Sequence, residues 1–294
     1  MTLMLAATTL LAAAPAHGQV ADQLMNGIGL IDFSHHPRFK VGTWVKYHVT
    51  GHSARGHSDD YTMTVAIGGE ERLWGEDCFW VETATESKSG AGGGIATLMS
   101  YAAFGDSMPF LDMQYYTRKN ITESDADGKP IEVVARRPPA TLKFRDLSQK
   151  GLAVHIDTLG VDTVVVPKGR FACQHVRILQ NLGVETERRD SSAYSENKDQ
   201  RDSYVTREIP LTGIAREDIE FTETVKVWMV GRSRDVPANT FNHSVGQAVL
   251  VDFGEAYQPQ MVPESKRRSL EEQDRAAARA AAAPARSKPP PKSR

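Results

Sequence analysis

Tyr61-Thr62-Met63-Thr64-Val65-Ala66-Ile67-Gly68-Gly69 is the stretch that decides the fold. Tyr61, Met63, Val65 and Ile67 alternate with Thr62, Thr64 and Ala66 at period two, the signature of a half-buried strand. Gly68-Gly69 then predicts a hairpin turn. The alternation extends to both sides. Upstream, Val45, Tyr47 and Val49 alternate with Trp44, Lys46 and His48; downstream, Cys78-Phe79-Trp80-Val81 reads as the next strand. The same pattern predicts strands over 111–121, 131–135, 161–166, 171–179, 203–209, 220–230 and 247–253. In the segment 220–230, Phe221, Val225, Val227 and Met229 share one face.

Helical signals are few. Ala21–Leu30 reads as a short amphipathic helix. Ile95–Phe104, rich in Ala, Leu and Met, reads as another after the glycine-rich link Gly90-Ala91-Gly92-Gly93-Gly94. Residues 188–202 hold almost no large apolar side chain and predict a mobile loop. Closely spaced strands with one polar face argue for a mainly β fold, an antiparallel sheet in a single domain over residues 19–263.

The ends of the chain differ from its body. Met1 to Ala14 is apolar, and Ala14-Pro15-Ala16 or Ala16-His17-Gly18 offers the small residues of a cleavage site. This predicts a signal peptide over residues 1–18 and a periplasmic or secreted mature protein. The run of ~14 residues falls short of the ~20 that span a bilayer. No later segment is apolar enough, so no transmembrane segment is expected after cleavage. From Glu264 onward nine Lys or Arg face four acids, which makes the preceding body acidic. Residues 264–294 predict a charged, Ala-rich helix over Glu264–Ala283 and a disordered, basic, Pro-rich tail suited to an anionic envelope surface. A net charge of -2 argues against a nucleic-acid partner.

Chemistry-bearing motifs are weak. His48, His52 and His57, with Asp59 and Asp60 behind them, have the composition of a metal site, but they surround Gly51 and Gly56 in what reads as a hairpin loop; solvated histidines are expected and no metal. Asp125-Ala126-Asp127-Gly128 imitates a calcium loop without its later ligands and reads as a turn. Ser195-Glu196-Asn197-Lys198 satisfies SxxK inside the polar stretch, where no organised nucleophile is expected. No cofactor and no catalyst are assigned. Cys78 and Cys173 leave two readings open, a disulfide or two buried free thiols. Trp44, Tyr47, Tyr61, Met63, Phe79, Trp80, Met113, Tyr115, Phe221 and Trp228 leave two more, ordinary core or the lining of an apolar cavity.

Three segments carry a family resemblance. Val41-Gly42-Thr43-Trp44-Val45-Lys46-Tyr47 resembles the VGxWVxY opening strand of a group of exported bacterial proteins. Pro167-Lys168-Gly169-Arg170-Phe171-Ala172-Cys173 resembles their PxGxFxC strand entry. Tyr204-Val205-Thr206-Arg207-Glu208-Ile209-Pro210-Leu211-Thr212-Gly213-Ile214-Ala215-Arg216 is similar to WVxxxVPLxGIVR, with Tyr204 where Trp is commoner. The last pattern recurs in proteins of the lipoprotein-carrier (LolA/LolB-like) type. The resemblance implies a single, strongly curved antiparallel half-barrel with one or two helices in or across the concave face. It also implies a cavity for a lipid or a lipidated partner. The matches mark strand entries and turns, so no ligand residue carries over. Fold does not confer function.

Overall fold

The computed structural model describes residues 39–54, 56–90, 92–105, 113–122, 130–135, 152–187, 191–229 and 238–282. The predicted signal peptide, the segment Ala21–Leu30, the turn Asp125–Gly128 and the tail beyond Ala282 lie outside these residues.

Among the described residues eleven strands form one antiparallel sheet: β1 (Trp44–Ser53), β2 (Ser58–Leu73), β3 (Glu76–Ser87), β4 (Gly92–Ser100), β5 (Thr117–Thr122), β6 (Ile131–Val134), β7 (Leu152–Val166), β8 (Gly169–Glu187), β9 (Ser191–Val205), β10 (Ile214–Met229) and β11 (Ala238–Gly254). Their order is β6-β5-β4-β3-β2-β1-β11-β10-β9-β8-β7. Two meanders therefore meet at the β1–β11 pair, and β6 and β7 are the unpaired edges. Cα atoms of β7 approach within 8 Å of β10 and β11. In a flat sheet three strand spacings would hold β7 and β10 about 14 Å apart. The sheet is strongly curved and open, a half-barrel.

Period two distributes the side chains between two faces. Val45, Tyr47, Val49, Tyr61, Met63, Val65, Ile67, Phe79, Val81, Met99 and Leu250 pack into the larger core. Two short helical segments lie against this core face. The 3-10 turn Tyr101–Gly105 brings Tyr101, 4.8 Å from the Phe79 ring, and Phe104, 5.1 Å from that of Phe39. The single helical turn Met113–Tyr116 adds Tyr115 and Tyr116. Beyond β9 the turn 206–213 buries Ile209 and Leu211 in the same core. Tyr47 fixes that turn by donating its hydroxyl to the Ile214 carbonyl at 2.9 Å.

On the opposite face Cys78, Trp80, Ala96, Leu98 and Ile121 are covered by Met261 and Val262. These two belong to a strap that leaves β11 and crosses back over β2 and β3. Glu82, fully buried, anchors it: the carboxylate accepts hydrogen bonds from the Tyr257 hydroxyl (2.8 Å) and the backbone N–H groups of Gln260 (2.9 Å), Met261 (3.0 Å) and Val262 (3.3 Å). The strap continues into a helix, Leu270–Ala282. Ser269 and Glu272 form a reciprocal capping box at its start, each side chain bonded to the other's N–H at 3.2 Å. The helix begins six residues later than the charge pattern suggests because the cap sits at Ser269 and Glu264–Lys266 is a 3-10 turn.

Four expectations are corrected. Gly68-Gly69 is not a turn. β2 runs on to Leu73 through a bulge between Ile67 and Gly69, and the hairpin turns at Trp74-Gly75, both at positive φ (54° and 83°). The glycines are required there because the strap lies on them: a Cβ on Gly68 would stand 2.7 Å from Val262 Cγ2. The region 95–104 is not a helix, since β4 extends to Ser100 and carries Gly92, Gly93 and Gly94 within it. Residues 113–116 are a helical turn and not strand; β5 begins at Thr117. Residues 191–202 are not a loop, for β9 spans Ser191–Val205 and pairs with both β8 and β10. Its polar side chains find polar partners, some across to β8 and some two residues along the same strand. Arg177 Nε donates to Asp202 at 2.8 Å, and Arg201 Nε donates to Asp199 at 3.1 Å.

Candidate functional site

The half-barrel presents two polar regions, one on each face of β9–β11. The outward one is set by register. Asp60, Thr50, Gln247, Asp218, Asp202 and Arg177 stand opposite one another across β2, β1, β11, β10, β9 and β8. A groove of about 630 Å³ runs over this row, with His52 and Glu220 also in its lining. The groove looks acidic in sequence but is largely neutralised in place. Asp60 meets His48 at 2.9 Å and also Lys88. Asp218 meets Arg216 at 2.8 Å and accepts from Gln247 at 2.6 Å. Burial works against ionisation of Asp202, yet hydrogen bonds from Arg177, Gln200 and His175 outweigh it and hold the carboxyl below its ordinary range. Half-exposed pairs of this kind contribute little each, about 0–1 kcal/mol. This face is a charge ladder.

The histidines divide accordingly. His48 and His52 lie on β1 itself rather than in the hairpin loop, His57 just precedes β2, and Asp59 and Asp60 are within β2. Among the described residues no three His, Cys, Asp or Glu side chains converge to hold a metal. Ser195 and Lys198, three residues apart on β9, point to opposite faces of the strand.

The core-facing region is different. On β9 the residues that face inward are Asn197, Asp199, Arg201 and Ser203. Register places them beside Glu223, Phe221, Ile219 and Glu217 of β10, and these beside Asn242, Ser244, Gly246 and Ala248 of β11. Ala248 belongs to the main core and pairs with Val49, so this is the same face that carries Tyr47 and Met63. The apolar core thus gives way to polar columns on β9 and β11, with apolar ones on β8 (Val176, Ile178) and β10 (Ile219, Phe221, Val225, Val227) between and beside them.

Glu217 is the charged centre of this region. It is buried, and Ser203 Oγ donates to its Oε1 at 2.9 Å. Burial raises its carboxyl above the ordinary value of 4.5, while Arg201 and Ser203 pull the other way without cancelling the effect. The native state therefore binds this proton more tightly than the unfolded chain. The stabilisation is complete below about pH 4.5 and is lost as pH rises through the raised folded value. Glu217→Gln keeps the shape and cannot ionise. Thermal melts from pH 4 to 9 should show the variant losing less stability than the natural protein as pH rises; parallel curves would contradict the assignment.

The ten aromatic and methionine positions singled out from sequence do not gather round one hollow. Tyr47, Met63 and Phe79 are fully buried, with Tyr61 nearly so, and all pack as core. Trp80 lies on the opposite face, in the layer under the strap. Trp44 shares the phase of Lys46 and His48 and stands against Gly254, where a Cβ would be 3.2 Å from its Nε1. Tyr115 is partly buried against the core. Phe221 is half-buried on the core face, while Trp228 alternates to the other. Met113 opens a helical turn, and its side chain lies outside the described residues. The Asn, Ser and Glu side chains of β9–β11 were invisible as a site because polar residues in a strand read as its wet face.

The cysteines do not pair. Cys78 on β3 is buried in the layer under the strap and Cys173 on β8 in the main core, both as free thiols. Six strand spacings separate β3 from β8 in the sheet order, far beyond the ~7 Å reach of a disulfide. Burial pushes the Cys78 thiol up to about 12 and raises that of Cys173. Both should resist maleimide in the native protein and label fully in denaturant; rapid native labelling of Cys78 would refute its burial.

No family model and no curated protein matches the chain. Among solved structures it is similar to a candidate lipoprotein of Parabacteroides distasonis, at 13% identity over 76% of this chain and 99% of that one, with a TM-score of 0.29. It is similar also to a candidate exported protein with a YmcC-like fold from Bacteroides fragilis, at 12% identity over 74% and 97%, TM-score 0.28. A LolA superfamily protein from Nitrosomonas europaea is 10% identical over 79% and 94%, TM-score 0.23. At such scores the fold rests on strand order and register rather than on likeness. No helix among the described residues is long and apolar enough to cross a membrane.

Proposed function

We propose that the protein is an exported, non-enzymatic component of the cell envelope that binds a lipid or other amphiphile on the core face of β8–β11. One observation carries this reading. The face that is solid apolar core at Tyr47, Met63 and Phe79 continues into half-buried apolar side chains at Val176, Ile178, Phe221, Val225 and Val227, and among the described residues no second sheet closes over them. An acyl chain laid along them would bury apolar surface at ~0.8 kcal/mol per methylene. The apolar leader-like run and the resemblance to lipoprotein carriers support the envelope location.

The test is direct. Purified protein should release lipid on extraction or bind a fluorescent fatty-acid probe, and Phe221→Glu should weaken the probe while leaving the melt unchanged within a few degrees. Clean extracts together with no probe binding would remove the reading.

A further inference from the structure

We infer that two copies of this chain pair their β7 strands antiparallel, about a two-fold axis between Thr158 and Leu159. Among the described residues nothing pairs with the outer side of β7, an edge strand of 15 residues; the opposite edge, β6, has four. Towards the end of β7, Val164 and Val166 turn into the core, so the free stretch is 154–163. Within it Ile156 is 47% exposed, Leu159 49% and Val161 76%. Edge strands are ordinarily kept short, bent away or charged, because their unpaired N–H and C=O groups template another strand. A long edge that also leaves aliphatic side chains in water is built to be paired.

Register identifies the occupant as a second copy. A bulge at Leu159 reverses the phase of β7. Ile156, Thr158 and Val161 share one face, beside Ile178, Val176 and Gln174 of β8. His155, Asp157, Gly160 and Asp162 share the other, beside Leu179, Arg177, His175 and Cys173. Residues directly opposite in an antiparallel pair lie on the same face of the sheet. Over 154–163 only two two-fold registers meet this condition, with the axis between Thr158 and Leu159 or between Leu159 and Gly160. The second sets Asp157 against Asp162 twice, a destabilising like-charge pair. The first sets His155 against Asp162, and Asp157 against Gly160, where nothing lies within 4 Å of an added Cβ. It also sets Ile156 against Val161 twice, so the exposed aliphatic side chains cover one another. A strand that matches itself in phase, charge and volume fits an isologous contact.

The experiment follows association of the full chain by sedimentation equilibrium and fixes the register by cross-linking. The natural protein should dimerise within about 1–100 μM. Val161→Lys, which sets a charge against Ile156, should weaken the dimer at least ~10-fold. Val161 projects into solvent, so at a concentration where both proteins are monomeric the variant should melt with the natural protein. Under mild oxidant Ile156→Cys/Val161→Cys should give a covalent dimer, because these positions face each other across the axis; within one chain they stand about 16 Å apart. Ile156→Cys/Thr163→Cys, directly opposed only in the other register, should give less. The natural protein should give none, since Cys78 and Cys173 are buried. A protein that stays monomeric throughout that range, a dimer indifferent to Val161→Lys, or preferential cross-linking of the second pair overturns the proposal.

Discussion

Glu82→Ala should lower the unfolding free energy by about 3–5 kcal/mol, among the largest effects of any single polar substitution in this protein. Its carboxylate is fully buried and terminates four donors, three of them backbone N–H groups of the strap. Removing it leaves those donors in an apolar layer beside Trp80, Leu98 and Met261, where each unmet bond costs about 1–3 kcal/mol unless the strap lifts into water. Lifting exposes Met261 and Val262 instead, so neither route is free. Glu82→Gln retains volume and an acceptor oxygen but loses the charge assistance, and should lie between the two. Urea melts measure the change, and limited proteolysis locates it. Cleavage between Tyr257 and Leu270 should appear before any cut in β1–β4. A loss under 1 kcal/mol would mean that the carboxylate does not anchor the strap.

Gly69→Ala should cost about 2–4 kcal/mol by the opposite route, inserting one carbon where there is no room. An added Cβ would sit 1.9 Å from the Lys266 carbonyl oxygen and 3.0 Å from Arg267 Cα. Both are backbone atoms, which cannot rotate aside. The strap must move, and with it go the bonds that dock the C-terminal helix: Glu70 N to Arg268 O at 3.1 Å, Leu270 N to Glu70 Oε2 at 2.7 Å, and Gln273 Nε2 to Glu70 O at 2.8 Å. Gly93→Ala is the control. It lies in β4 with nothing within 4 Å of the added carbon, and should change stability by under ~0.5 kcal/mol. The Glu82→Ala and Gly69→Ala changes should combine to less than their sum, because the same strap is released by either.

These expectations show where sequence reading stopped. The strands with clean alternation, β1 and β2, were legible because each buries one face and wets the other. The strand β9 was not. Its inward residues are Asn197, Asp199, Arg201 and Ser203, so no apolar phase marks it; only pairing with β8 and β10 makes it a strand. Gly68-Gly69 misled for a related reason. A glycine pair signals a turn where the chain needs positive φ, but here it signals close approach by a segment almost 200 residues later. The candidate site was missed because no local pattern distinguishes a polar side chain facing solvent from one facing a core.

The amino-acid sequence alone determined the antiparallel β class, the phase of the apolar strands and the presence of a charged, Ala-rich C-terminal helix, since these follow from side-chain periodicity and composition within a few residues. The tertiary structure decided the rest. It set which face each aromatic serves, separated Cys78 from Cys173, laid the strap on glycines, and buried the polar side chains of Asn242, Ser244 and Glu217 on the core face of β10 and β11. Those outcomes depend on strand order and curvature, which join residues distant in the chain and leave no trace in local spacing.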